Sequence, residues 1–168
     1  LNRGSAMARF SSLGRWLALA LAVVLLNASV TFGNVWPTLG IAPRAELSIE
    51  LSVLLLALVL WRSFIGRIDR AAINALAVIS LFFIVGRYST VTAPALYGRP
   101  VNLYWDTQQL PNVAAMLAKV APWWLIALML IGVVGFFTLI VAALRWCLLR
   151  VATGLDTAAG RRAVGSFA

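Results

Sequence analysis

The stretch from Trp123 to Leu144 contains no charged residue, and this feature restricts the possible folds of the chain more than any other. A helix of roughly 20 apolar residues is long enough to cross the ~30 Å hydrocarbon core of a bilayer. Three similar apolar runs precede it: from about Trp16 to Phe32 or Trp36, from Ala42–Ala45 to Trp61, and from Ala71 to Arg87 or Tyr88. The pattern predicts an all-α integral membrane protein with about four transmembrane helices.

The composition agrees with a lipid environment. Hydrophobic residues make up 62% of the 168-residue chain and charged residues only 11%, which is more apolar side-chain surface than a water-soluble domain of this size could cover. The net charge of +9 could suggest a nucleic-acid partner, but the basic residues flank the apolar runs and form no dense stripe. We therefore expect membrane lipids as partners and no nucleic acid.

The distribution of the basic residues predicts the orientation in the membrane. If the four spans alternate in direction, the fourteen basic residues divide ten to four between the two sides. The larger group comprises Arg3, Arg9, Arg15, Arg62, Arg67, Arg70, Arg145, Arg150, Arg161 and Arg162, and the smaller group Arg44, Arg87, Arg99 and Lys119. Because the more basic side is normally cytoplasmic, both termini should lie in the cytoplasm. The predicted parts are a cytoplasmic segment 1–15, a transmembrane bundle 16–146 with an outer loop 88–121, and a cytoplasmic tail 147–168.

The segment between the third and fourth spans is too polar and too rich in proline to cross the membrane. Apolar and polar residues alternate from Val101 to Asp106, which favours a short extended stretch. Pro111 then opens a short helix, in which an apolar stripe follows the spacing i, i+3, i+4 and i+7: Val113, Met116, Leu117 and Val120. Such a helix should lie on the outer membrane surface.

Three ionisable residues are predicted to lie in the outer half of the bundle. Counting 1.5 Å per residue from the inner boundary places Glu50 at a depth of roughly 17 Å, Glu46 at roughly 23 Å and Arg87 at roughly 25 Å. Because a charge in hydrocarbon costs a few kcal/mol or more, these residues should face one another or a watered cavity. Two simpler interpretations remain open: a Glu–Arg pair that only joins two helices, or a second helix that starts at Leu47 and leaves Glu46 among the lipid headgroups.

The outer loop adds further candidates for the same pocket. Arg99 could bind an anion, and a nearby group combines polar and aromatic side chains, namely Tyr88, Asn102, Tyr104 and Asp106. A cation, hydroxyl donors and flat aromatic faces suit an anionic or sugar-bearing lipid headgroup. Interfacial anchoring explains the aromatic residues equally well, and a solvated loop could hold the remaining ones.

No catalytic centre is recognisable in the chain. It contains no histidine and a single cysteine, Cys147, so the usual zinc, haem and thiol–imidazole sites are not expected. There is no glycine-rich phosphate loop and no Ser/His/Asp set. We therefore predict no metal, no cofactor and no catalytic residue, and any hydrolase or transferase activity would require a separate domain.

The stretch GRYSTVTAPALYGRPVNLYWD, from Gly86 to Asp106, is followed by QQLPNVAAML. Together they resemble the membrane portion of bacterial inner-membrane sulfatase-like proteins, relatives of the alkaline phosphatase superfamily that include phosphoethanolamine transferases. In that family a membrane domain of about five helices precedes a periplasmic catalytic domain. The resemblance implies a lipid-handling anchor domain in the bacterial inner membrane. It also implies that the residues after Arg161 and Arg162 begin a fifth helix.

Two hypotheses of function follow. The first is a membrane anchor that handles lipid headgroups for a periplasmic sulfatase-like hydrolase or phospho-group transferase. The second is a stand-alone small membrane scaffold or transporter subunit. An open reading frame that continues beyond Ala168 into a helix and a soluble domain would support the first hypothesis, and a stop codon there would support the second.

Overall fold

The computed structural model describes residues 3–166, and the side chains of residues 14–157 and 159–166. Within this range the chain is predominantly helical, as predicted. The elements in chain order are α1 Arg3–Val30, β1 Phe32–Asn34, β2 Ile41–Pro43, α2 Ile49–Phe64, α3 Arg70–Tyr97, α4 Leu103–Val120, α5 Trp123–Gly154 and α6 Ala158–Gly165. The ends of the two predicted cytoplasmic segments, residues 1, 2, 167 and 168, lie outside the described residues.

Two of the described helices, α3 and α5, are long and apolar enough to cross a membrane. Their most apolar stretches reach a mean hydropathy of 1.8 and 2.8, and almost none of these stretches is buried inside the protein. The other two predicted spans are shorter in the structure. The described apolar part of α1 is Gly14–Val30, and α2 has 16 residues, or ~24 Å of helix. The count of four spans is therefore not confirmed.

Contacts at the two ends of the helices show how they are arranged. Near one end, the Arg62 Nε of α2 lies 3.1 Å from the Asp156 Oδ1 that follows α5, and Gly154 lies against Leu19 of α1. At the opposite end, Asn27 of α1 contacts Ser48 at the start of α2. Helices α1 and α2 therefore run in opposite directions, and α2 and α5 run in the same direction. We call the first end the basic end and the second, which carries the β1–β2 hairpin, the hairpin end.

The core lies nearer the basic end. Helix α5 packs mainly against α1 and α3, and its buried residues all lie in its C-terminal half: Leu144, Cys147, Leu148 and Val151. The short helix α6 packs against α2 and α5 and buries Val164. A Cβ on Gly160 would lie 2.0 Å from the Gly154 carbonyl oxygen, so only glycine fits where α6 turns back. The predicted start of a fifth helix thus belongs to an eight-residue helix folded onto the bundle.

Helix α2 begins later than predicted, and Glu46 does not lie in it. The Ser48 hydroxyl accepts a hydrogen bond from the Leu51 N–H and caps the helix, which starts at Ile49. Serine is a favoured N-cap because its oxygen satisfies one of the free N–H groups of the first turn. The depth assigned to Glu46 assumed a helix of roughly 20 residues and is therefore wrong.

Helix α3 extends through the first part of the predicted irregular loop. It continues past Arg87 to Tyr97 and ends at Gly98, whose φ of 67° is left-handed. The hydroxyls of Ser89 and Thr90 donate to carbonyls one turn earlier, so these polar side chains are satisfied within the helix itself. Pro94 lies inside the helix, although its lack of an N–H removes one helical hydrogen bond.

The stretch predicted to be extended is the start of α4. Asn102 caps this helix by accepting a hydrogen bond from the Trp105 N–H, and the helix runs for 18 residues rather than starting at Pro111. The predicted apolar stripe is helical, but no residue of α4 is buried. Among the described elements, none packs extensively against α4.

Candidate functional site

The start of α2 holds the most constrained ionisable group near the hairpin end. The Ser48 hydroxyl donates a hydrogen bond to the Glu50 Oε2 and accepts one from the Leu51 N–H at 3.3 Å. Ser48 is only 5% exposed, whereas Glu50 is exposed in the first helical turn. Because a carboxylate in the first turn also interacts favourably with the helix dipole, the start of α2 holds Glu50 in a defined position.

A side-chain amide from α1 fixes the backbone just before this turn. Asn27 donates through Nδ2 to the Glu46 carbonyl oxygen at 2.7 Å and accepts through Oδ1 from the Ser48 N–H at 3.0 Å. The same Nδ2 also donates to the Thr31 hydroxyl at 3.2 Å. The amide of Asn27 thus pairs with the chain at residues 46–48 and sets the position of Glu50 relative to α1.

Glu50 lies where two cavities meet. The first, which we call the apolar cavity, has a volume of about 490 Å³ and lies between α1, α2 and α3, with walls formed mostly by aliphatic side chains. The second, the Arg87 cavity, has a volume of about 510 Å³ and includes Gly86, Arg87 and Thr90. Three residues line both cavities: Glu50, Ile79 and Phe83. Each volume is within the range of about 300–1,000 Å³ that is typical of small-molecule sites.

Arg87 is available to bind an anion. It is exposed and lines the Arg87 cavity together with Glu50, on which it acts electrostatically. Among the side chains that the structure describes, however, the three ion pairs within 4.0 Å do not include Arg87. The two residues therefore share a cavity but do not form the helix-joining salt bridge that was considered from the sequence. A guanidinium with free N–H groups can bind phosphate or carboxylate with two parallel hydrogen bonds.

Two other predicted pocket residues lie elsewhere at the hairpin end. Glu46 precedes α2 and lines neither cavity, and its backbone oxygen is the atom that Asn27 contacts. The Tyr88 hydroxyl donates to the Leu39 carbonyl oxygen at 3.2 Å. Tyr88 therefore joins α3 to the β1–β2 hairpin instead of facing the Arg87 cavity.

The remaining candidates form a separate cluster at the start of α4. Arg99 lies 2.7 Å from the Asp106 Oδ1, and the Asn102 N–H donates to the Asp106 Oδ2 at 2.9 Å. The hydrogen bond from Arg99, together with that from the Asn102 N–H, holds the pKa of Asp106 below its usual range. The Tyr104 ring packs edge-to-face on Trp105 with centroids 5.2 Å apart.

This cluster is explained by helix capping and lines neither cavity. Asp106 satisfies the N–H of the capping residue, while Asn102 satisfies an N–H of the first turn, and together they serve the free donors at a helix start. Arg99 forms an ion pair with Asp106. The structure therefore does not bring Arg99, Asn102 and Asp106 into one cavity with Glu50 and Arg87, and their predicted contact with a lipid headgroup stays a prediction.

Sequence reasoning missed several residues that shape the cavities. Ser48 and Phe83 were not proposed, although Ser48 two residues before Glu50 follows a common pattern at helix starts. Phe83 and Ile79 carried no signal beyond hydrophobicity, since their role depends on the gap between α2 and α3. Within the side chains described, no group of His, Cys, Asp and Glu could hold a metal ion.

No family model matches the chain, and no curated protein or solved structure is significantly similar to it. The proposal of a function therefore depends on the geometry of Glu50, Arg87 and the two cavities.

Proposed function

We propose that the chain is a multi-pass protein of the bacterial inner membrane in which α1, α2, α3 and α5 are the four spans. The two long apolar helices, the opposite directions of α1 and α2, and the shared direction of α2 and α5 support this arrangement. The basic end, with Arg62, Arg67 and Asp156 in one ion-pair cluster, would face the cytoplasm, and the hairpin end would face outward. Helix α4, with its exposed apolar stripe, would lie on the outer surface.

In this orientation the site at the hairpin end would bind the phosphate-bearing headgroup of a membrane lipid. The single observation that carries the proposal is the position of Arg87, which has no carboxylate within 4.0 Å among the described side chains and lines a cavity continuous with an apolar one. Placing an unpaired cation beside hydrocarbon is costly unless an anion or water accompanies it. In a phospholipid bilayer the lipid phosphate is an abundant anion near the hydrocarbon boundary, within reach of a long arginine side chain.

The role of such a site would be to present lipids to a catalytic partner. Because no catalytic centre was recognisable in the sequence, the chemistry would belong to a periplasmic sulfatase-like hydrolase or phospho-group transferase, either as a further domain or as a separate protein. A stand-alone scaffold or transporter subunit is the alternative, and the exposed outer half of α5 could serve either role by contacting another membrane helix.

Lipid binding by the purified protein in detergent tests the headgroup site. Native mass spectrometry would compare dioleoylphosphatidic acid with dioleoylglycerol, which has the same chains but no phosphate. Arg87→Gln should weaken phosphatidic acid binding about tenfold or more, because a hydrogen-bonded charge is lost, and should leave dioleoylglycerol unaffected. Arg70→Gln, at the opposite end of the same helix, is the matched control. Equal binding of phosphatidic acid by the wild type and Arg87→Gln would refute the headgroup site.

A further inference from the structure

The apolar cavity runs along the helices, as a lipid chain does, and is long enough for part of one chain. Its wall on α2 runs from Ile49 to Ala57, and its wall on α3 runs from Phe83 to Leu76. The walls span eight and seven helical steps, or ~10–12 Å, which is less than one ~15 Å hydrocarbon leaflet. The cavity therefore begins beside the charged residues of the hairpin end and ends within the same leaflet.

The two cavities are placed to hold two parts of one molecule. Phe83 lines both of them, and Arg87 follows it by one helical turn, or ~6 Å along α3. A phosphate at Arg87 would thus lie directly above the entrance of the apolar cavity. A linear chain attached to that phosphate would pass Glu50 and Phe83 and continue between α2 and α3.

Water is a poor occupant of this cavity. A stable buried water usually needs two to four polar partners, whereas most of the lining residues are Leu, Ile, Val, Ala and Phe. Three of the thirteen lining residues are polar: Ser29, Glu50 and Ser80. The Ser29 hydroxyl already donates to the Leu26 carbonyl oxygen at 2.7 Å, and the Glu50 carboxylate accepts from Ser48. An apolar occupant with a charged group at one end matches the walls better.

We propose that the apolar cavity holds one acyl chain of the lipid whose phosphate binds Arg87. This inference rests on the proposed headgroup site and adds a second determinant of binding. The ligand class is a phosphate-bearing lipid with at least one linear chain, bound from the outer leaflet. The chain and the headgroup can be tested separately, since Ala57 lines the apolar cavity but not the Arg87 cavity, and Arg87 lines the Arg87 cavity but not the apolar one.

Filling the cavity tests the proposal. Ala57 lines the apolar cavity and is exposed in the cleft, so Ala57→Phe adds a ring where the chain would lie without intruding on the core. Native mass spectrometry of the full chain should show both dioleoylphosphatidic acid and dioleoylglycerol bound about tenfold more weakly, since several methylene contacts are lost. Their ratio should not change, because Arg87 is intact. The control Ala143→Phe, at an exposed alanine of α5, should bind both lipids like the wild type.

The outcomes separate the two sites. If Ala57→Phe binds phosphatidic acid like the wild type while Arg87→Gln does not, the chain proposal is overturned and the headgroup site stands. If Arg87→Gln has no effect and Ala57→Phe weakens both lipids, the headgroup site is refuted, together with the pairing of chain and phosphate in one molecule.

A chain-length series on the wild type needs no variant. Lysophosphatidic acids from octanoyl to stearoyl should bind more tightly with each added methylene until the chain exceeds the cavity, and glycerol 3-phosphate should bind most weakly. Affinity independent of chain length would overturn the proposal.

Discussion

The two ends of the helical bundle are held together in different ways. At the basic end, the C-terminal half of α5 buries Leu148 and Val151 almost completely, and α6 folds back to bury Val164. At the hairpin end, the N-terminal half of α5 is exposed, α4 buries no residue, and two cavities open between α2 and α3. Most of the buried apolar side chains lie toward the basic end, although a pocket of about 320 Å³ lies there between α2 and α3, and the hairpin end is the more open of the two.

Polar contacts take the place of packing at the hairpin end. Asn27 fixes the start of α2, Tyr88 joins α3 to the β1–β2 hairpin, and Asn34 holds the hairpin turn through the Thr38 carbonyl oxygen at 2.8 Å. Hydrogen bonds are directional but contribute little net stability each. They can therefore position Glu50 and Arg87 while leaving the space between the helices unfilled. The comparison indicates that most of the buried core and the proposed binding site lie toward opposite ends of the same helices.

The largest expected effect comes from shortening a leucine at the basic end. Leu148 is 1% exposed and Leu139, on the same helix, is 72% exposed. Leu148→Ala should reduce the free energy of unfolding by about 2–5 kcal/mol, because it removes buried methyl groups and leaves a cavity. Leu139→Ala should change it by less than about 0.5 kcal/mol. Thermal unfolding in detergent measures both, and equal losses would break the distinction between a packed and an open end.

A smaller loss is expected at the hairpin end when Asn27 is replaced by leucine. The substitution leaves the Ser48 N–H and the Glu46 carbonyl oxygen without their partner, at a cost of about 1–3 kcal/mol. Hydrogen exchange of the Ser48 and Leu51 amides should quicken, since the start of α2 loosens. Asn112→Leu on the exposed face of α4 is the control. Unchanged exchange in Asn27→Leu would mean that packing also positions this end.

The smallest effect concerns the cap of α4. Because Arg99 lowers the pKa of Asp106, this contact stabilises the helix start above the ordinary Asp pKa of ~3.9, and the contribution is lost as the pH falls through the lower folded value. NMR titration of the Asp106 carboxyl and the Asn102 amide should show protonation below about pH 4. In Arg99→Gln the midpoint should move up toward the ordinary value. Identical titration curves would show that Arg99 does not act on Asp106.

The sequence predicted the helical character, but not where helices begin and end. Long apolar runs predict helices that lie in lipid or in a protein core. The boundary of the run before Trp61, however, was set at Ala42–Ala45 by assuming a fixed span length. Ser48 was the better guide, because a serine at this position caps a helix and so marks its first turn. In the same way, Gly98 and Asn102 mark the end of α3 and the start of α4, although Pro94 and Pro111 favoured other boundaries.

The candidate site was predictable only in part. The cost of a charge in hydrocarbon singled out Glu50 and Arg87, which share the Arg87 cavity. The same argument included Glu46, because it depended on the helix bounds, and the outer loop suggested Arg99 and Asp106, because unpaired charges resemble binding groups. Arg99 and Asp106 pair with each other at the start of α4, and the hydrophobic pattern of the sequence did not predict a helix start there. The apolar cavity lies between three helices, and its existence depends on how these helices pack, which no local sequence pattern predicts.

Membrane-impermeant thiol labelling tests most directly the claim that the open end faces outward and the packed end faces the cytoplasm. Single cysteines would be placed at Leu39, in the exposed hairpin turn, and at Ala159, exposed in α6, in a Cys147→Ser background. In intact cells, the cysteine at position 39 should be labelled, and the one at position 159 should react only after the membrane is permeabilised. Labelling of position 159 from outside, with position 39 protected, would contradict the account.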